Sequence, residues 1–280
     1  MGDSICAVGK DEEQPFPNLI REGLLTILRQ SAVFARPVAL RARLLSDLPA
    51  KCYSYAMRTL VAILAALFSW QIVSVQKTVS FPTEDGGVVF ADLYGTGERG
   101  VVLAHGGRFN KESWAKQARA LADAGFRVLA FDFRGYGKSH GPGQADIFTA
   151  PLHLDVLAAV RYLRSAGAKT VSVIGGSLGG GAAGDASIAS EPNEIQRLVF
   201  LGSSPNGPAE KLKCPSLFIV ARDDASEDGP RLPGIRAKYE KAPEPKELII
   251  LYGSAHAQFL FDTDQGERVM REILRFLSAN

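Results

Sequence analysis

From residue 76 onward, short apolar runs alternate with stretches of helical periodicity, and this alternation narrows the possible folds more than any other feature. Strands are predicted over 76–81, 88–94, 101–104, 127–131, 170–174, 198–201, 216–220 and 248–252. Helices are predicted over 113–124, 152–165, 178–189 and 265–277. In the first helix, Trp114, Ala118, Leu121 and Ala122 recur at helical spacing, and Gly125 stops it. A run such as Val101–Ala104 has no polar residue, so both of its faces must be buried. Short buried strands alternating with helices form βαβ units, which implies an α/β fold with a mostly parallel central sheet and helices on both faces. The first two strands differ. Glu84-Asp85-Gly86-Gly87 between them is a turn cluster, which predicts a hairpin.

In such sheets, chemistry collects beyond the carboxyl ends of the strands. After the strand 170–174 comes Gly175-Gly176-Ser177-Leu178-Gly179-Gly180, a G-x-S-x-G between a strand and a helix. That turn thrusts a serine hydroxyl outward, and glycines remove side chains that would strike the neighbouring strand and helix. The helix starting at Leu178 aims its first amides at the same place, where they favour developing negative charge. The bland alternative is a glycine-rich turn with a serine helix cap. The segment could also suggest phosphate binding, but it lacks the lysine of a P-loop and the acidic partner of a dinucleotide site.

A serine nucleophile needs a base. The chain has four histidines: His105, His140, His153 and His256. His256 follows the last strand in Gly253-Ser254-Ala255-His256, on the catalytic side, and is the favoured base. His153 starts a helix, His140 lies in a glycine-rich loop, and His105 is expected to brace its own loop. The base needs a carboxylate. Asp223 or Asp224, after the strand 216–220, can supply it, whereas Glu227 and Asp228 lie further out. An oxyanion hole would use the amide of Leu178 and one from His105-Gly106-Gly107-Arg108, with Gly107 the first choice and Arg108 the second.

These segments resemble the α/β-hydrolase superfamily over about 76–277. Four ordered signatures carry the resemblance: His105-Gly106-Gly107, the loop Asp132-Phe133-Arg134-Gly135-Tyr136-Gly137-Lys138-Ser139, the Gly175–Gly179 turn, and the late Asp and His. The second is similar to the family's D-x-R-G-x-G-x-S loop, which implies a structural role for Asp132 and Arg134. The family's acid usually closes G-x-x-D. That pattern selects Asp224, with Ala221 standing where the glycine would be. His105 to Phe109 with Glu112-Ser113-Trp114 is similar to small capless hydrolases of the CCG1-interacting factor B type, and dienelactone-hydrolase-like esterases are the alternative. Dehalogenases and epoxide hydrolases on this fold carry aspartate at the turn, where this chain has Ser177. Only about a dozen residues, Gly202 to Lys213, fill the usual lid position, too few for a domain of about 50 residues.

The resemblance therefore implies a capless serine esterase acting on small or exposed acyl substrates, with Ser177, Asp224 and His256 as triad and no cofactor or metal. The same triad serves peptidases or amidases, acyltransferases and carbon–carbon hydrolases, and a non-catalytic binding protein is the reading from another class. With 32 Lys and Arg against 30 Asp and Glu, the net charge of +2 gives no reason to expect nucleic acid as a partner. The three cysteines, Cys6, Cys52 and Cys214, form no disulfide or zinc pattern, and Cys214 is expected in the core.

Residues 1–75 form a separate N-terminal extension ahead of the 76–280 domain. It has a mostly basic stretch from Arg21 to Arg58, then an apolar run, Leu60–Phe68, extended by Trp70, Ile72, Val73 and Val75. That run falls short of the about 20 apolar residues that span a bilayer comfortably. A signal-peptide core starting from Met57, a signal anchor, or a packed helix are the three readings. Membrane association through 60–75, or export, follows from the first two, and a cytoplasmic location otherwise.

Overall fold

A computed structural model describes residues 76–143, 146–147 and 149–279, and the readings of the N-terminal extension lie outside them. The chain runs through β1 (Lys77–Pro82), β2 (Val88–Tyr94), β3 (Arg99–Ala104), α1 (Ala115–Asp123), β4 (Phe126–Phe131), α2 (Leu152–Ser165) and β5 (Thr170–Gly176). It continues through α3 (Leu178–Ala189), β6 (Leu198–Leu201), β7 (Ser216–Ala221), the small strands β8 (Ala225–Ser226) and β9 (Gly229–Pro230), α4 (Arg231–Lys241), β10 (Lys246–Leu251) and α5 (Gly266–Ser278).

Eight strands form one sheet in the order β1-β2-β4-β3-β5-β6-β7-β10. β1 and β2 are the expected antiparallel hairpin, with Phe81 opposite Val89. β2 is also antiparallel to β4, and every pairing from β4 across to β10 is parallel. Alternation along the strands splits the core into two layers. Val101 and Leu103 of β3 pack with Trp114, Leu121, Ile273 and Phe276 on one face. Val102 and Ala104 pack with Val156, Val160, Ala183 and Ala186 on the other. Truncating a fully buried ring such as Phe131 to alanine should cost about 3–5 kcal/mol.

β3 has β4 on one side and β5 on the other, so the chain changes winding direction there. The crevice at such a switch lies beyond the carboxyl ends of the strands, which are Ala104 and Gly176. Between β6 and β7 stands a single 3-10 turn, Ala209–Lys211, where a lid would be inserted.

Some boundaries differ from the sequence expectation. The first helix opens as a 3-10 turn, Lys111–Trp114, because the Asn110 side chain caps the Ser113 N–H at 3.2 Å. Helix α4 was not expected, since Pro233 and Gly234 lie inside it. Proline is tolerated there because it occupies the first turn, where the backbone N–H has no helical partner. Among the described residues no helix is long and apolar enough to cross a membrane.

Candidate active site

β5 ends at Gly176 and α3 begins at Leu178, so the whole strand-to-helix turn falls on Ser177. Ser177 has φ 51° and ψ −118°, a conformation rare for any residue with a side chain. Strain of this kind costs about 1–3 kcal/mol and persists only where the surroundings enforce it. Here the Ser177 N–H donates to the Leu201 carbonyl at 3.1 Å, and the Ser177 carbonyl accepts from Gly180 at 2.9 Å. The close approach of α3 to the sheet requires glycine. A Cβ on Gly175 would strike the Gly179 backbone, and one on Gly179 would strike the Ala104 carbonyl.

The Ser177 hydroxyl lies 2.8 Å from His256 Nε2, and His256 Nδ1 lies 2.8 Å from Asp224 Oδ2. The acceptor-only carboxylate assigns the proton to Nδ1, leaving the Nε2 lone pair to accept from the serine. Asp224 is fully buried, while Asp223 is exposed and uses its N–H on the Gly253 carbonyl. It is therefore Asp224 that reaches the imidazole. Its other oxygen, Oδ1, lies 3.3 Å from Arg231 Nε. Gly202 lies beneath the pair, and a Cβ there would come within 2.9 Å of His256 Nδ1.

The loop after β3 reaches the same place. Gly106 packs on Ser177, and Gly107 and Leu178 line a cleft of about 780 Å³ together with Ser177 and His256. The Gly106 carbonyl accepts from the Phe109 N–H at 2.9 Å and from His105 Nδ1 at 2.9 Å. Those two bonds fix the peptide plane whose opposite end is the Gly107 N–H. His105 Nε2 in turn accepts from the Phe133 N–H at 3.2 Å. Burial pushes its pKa down to about 4, so the ring is neutral at pH 7. His105 thus braces its loop, as the sequence suggested, and neither nitrogen reaches Ser177. His140 is exposed and bridges to Val88, and His153 is in the first turn of α2.

Three contributors escaped the sequence reading. Gln258 lies two residues beyond His256, and its Oε1 accepts the Gly106 N–H at 2.9 Å. The Tyr136 hydroxyl donates to the Gly107 carbonyl at 2.7 Å. Arg231 lines the cleft beside Asp224. Nothing in periodicity marks such residues; only the proximity of Gln258 to a catalytic-side histidine was a signal. A smaller, polar cleft of about 420 Å³ adjoins the first at Ser177, Ser226, Asp228 and Arg231, with Ser204 and Asn206 among its further walls. Among the described residues no group of three His, Cys, Asp or Glu side chains could hold a metal ion.

Known proteins match at two levels. A putative non-heme chloroperoxidase of Synechocystis is 42% identical over 69 residues, 24% of this chain and 24% of that protein. A 2-hydroxy-6-oxononadienedioate/2-hydroxy-6-oxononatrienedioate hydrolase of Burkholderia vietnamiensis is 34% identical over 128 residues, 44% of this chain and 42% of that protein. An epoxide hydrolase of Caballeronia sordidicola is 43% identical over 53 residues, 19% of this chain and 16% of that protein. The chain thus spans less than half the length of these curated relatives.

Solved structures match more broadly at lower identity. An esterase of Exiguobacterium antarcticum superposes with TM-score 0.59 at 16% identity, covering 72% of this chain and 100% of that one. A CIB-like hydrolase of Thermoplasma acidophilum gives 0.58 at 20% identity, covering 72% of this chain and 99% of that one. The family model for the alpha/beta hydrolase fold matches residues 100–273, from β3 to the last helix, and the chain belongs to that family.

Proposed function

We propose that this hydrolase cleaves carboxylic esters through an acyl-enzyme on Ser177. The observation that carries the reading is the hydrogen-bonded line from Asp224 through His256 to Ser177, 2.8 Å at each joint and ending in a cleft. Ser177 Oγ attacks the ester carbonyl while its proton passes to His256 Nε2. The resulting oxyanion is held by the amides of Gly107 and Leu178. Collapse expels the alcohol, which takes the proton from His256. A water then gives a proton to His256 and attacks the acyl carbon. The carboxylic acid leaves, and Ser177 recovers its hydrogen.

Asp224 holds the imidazole tautomer and steadies the imidazolium between these steps. The nucleophile is an alcohol, so the alkyl-enzyme route of epoxide hydrolases with an aspartate at this turn does not fit. The cleft has no lid among the described residues, and its apolar wall is formed by Phe109 and Phe259, whose ring centroids are 5.0 Å apart. This favours small or accessible acyl groups.

A fluorophosphonate probe tests the nucleophile, and matched butyrate esters and amides of one aryl alcohol and amine test the chemistry. Ser177 should be the labelled residue, and the ester should be turned over far faster than the amide. An unlabelled Ser177, or equal turnover of the two substrates, would remove the esterase reading.

A further inference from the structure

Gln258 joins the two loops that the proposed reaction has to hold in register. It lies on the 3-10 turn Ala257–Asp262, directly after the base, and is buried. Its Oε1 accepts the Gly106 N–H at 2.9 Å. Its Nε2 donates to the Ser113 hydroxyl at 2.8 Å, and that hydroxyl donates to the Asn110 carbonyl at 2.6 Å. One side-chain amide therefore bridges the loop of His256, the loop of Gly107 and the capping turn that opens the first helix. Gly176, next to the nucleophile, completes the surroundings: a Cβ there would lie 3.0 Å from Gln258 Oε1.

We infer that Gln258 is a positioning residue that locks the oxyanion loop to the base loop, so that the Gly107 amide and the His256 imidazole approach Ser177 as one rigid unit. Two contacts suit an amide at this place. The Gly106 N–H is buried and needs an acceptor. The half-buried Ser113 hydroxyl gives its hydrogen to Asn110 and accepts from Gln258 Nε2. Glutamine supplies both from one rigid plane. An ionised glutamate could satisfy only the first, and it would bring a negative charge beside the peptide that faces the oxyanion.

The inference rests on Ser177 being the nucleophile, and the test separates the two. Gln258→Met keeps length and bulk and removes both hydrogen bonds. Its kcat on a short aryl ester should fall by roughly 100-fold with KM changed by less than about threefold, because the lost contact acts on the transition state. The rate of fluorophosphonate labelling should fall in step. Gln258→Glu supplies the second measurement. Protonated glutamic acid offers a carbonyl and a hydroxyl in the places of Oε1 and Nε2. The ratio of variant to wild-type kcat should therefore rise as pH falls through the glutamate titration, which a purely structural loss would not produce. If Gln258→Met is folded and retains kcat within about threefold of wild type, the lock is refuted. If that variant does not fold, a pH-independent ratio in Gln258→Glu refutes it. A wild-type enzyme that neither labels nor turns over esters would overturn this inference and the esterase reading together.

Discussion

Two polar chains built from similar residues lie within one loop of each other, and they differ in whether they are closed. The first runs through the loop after β4. Arg134 makes a paired contact with Asp85, at 2.5 and 3.0 Å, and reaches Asp155 through Nε at 2.9 Å and Nη2 at 2.7 Å. Asp155 also accepts the Arg134 N–H at 2.9 Å, and His105 nearby has backbone partners on both ring nitrogens. The second chain is Asp224, His256 and Ser177. Its inner end is as deeply buried as Asp155, yet its outer end opens on a cleft. A closed network can only hold the fold, because every donor already has its acceptor. An open one keeps a lone pair and a hydroxyl for a substrate. Residue type alone does not separate the two roles, and the free end does.

That contrast can be broken by substitutions that should affect activity and stability in opposite proportions. Ser177→Ala should have the largest effect, lowering kcat on a short aryl ester by about a million-fold, on the order expected where a triad acts as a unit. It should leave the fold intact, since the Ser177 side chain gives up one hydrogen bond, to His256, and alanine keeps the Cβ that the turn already accommodates. Retained turnover would show that the open chain is not the reactive one.

Asp224→Asn comes next, with kcat lowered by about 10⁴ from the wrong imidazole tautomer. Equal activity in this variant would mean that another group orients His256.

On the closed side, His105 should act through pH. Its folded pKa is depressed to about 4, against 6.5 in the unfolded chain. The unfolded state therefore binds the extra proton first as pH falls. Stability should decline from about pH 6.5 to about pH 4, by about 3 kcal/mol in total, and this term should be flat below. NMR titration of the His105 ring should find it neutral down to about pH 4. A midpoint near 6.5 would show an open site.

Asp85→Asn should give the smallest change. Arg134 beside it lowers the Asp85 carboxyl pKa to about 2 from 3.8. Its ion pair therefore stabilises the fold above pH 3.8, and the contribution is lost as pH falls to about 2. Because Asp85 is partly exposed, the variant should lose only about 1–2 kcal/mol at pH 7. The difference from wild type should vanish near pH 2 in urea titrations, and a difference independent of pH would assign it to packing instead.

The architecture was legible because strands buried on both faces leave continuous apolar runs, and because Gly125 and Gly175 mark where elements must end or approach closely. Ser177, His256 and Asp224 were legible for a related reason: each lies within five residues of the end of a parallel strand, where this fold exposes side chains to its crevice. Helix α4 was hidden by Pro233 and Gly234, which weaken a helical pattern although the first turn tolerates proline. Gln258, Tyr136 and Arg231 were hidden more deeply. Each acts through a partner at least seven positions away in the chain, and Gln258 reaches Gly106 across 152 positions. No local pattern encodes such a pairing.

The mounting of the imidazole has a consequence for how this molecule should fail. Ser177 hangs from β5, which is bonded on both sides, whereas His256 hangs from β10, which among the described residues pairs with β7 alone. A border strand frays at lower cost than an interior one. Warming or mild denaturant should therefore silence the hydrolase while the far-UV circular dichroism of the interior strands is still unchanged. Such a dormant form should recover on cooling without refolding.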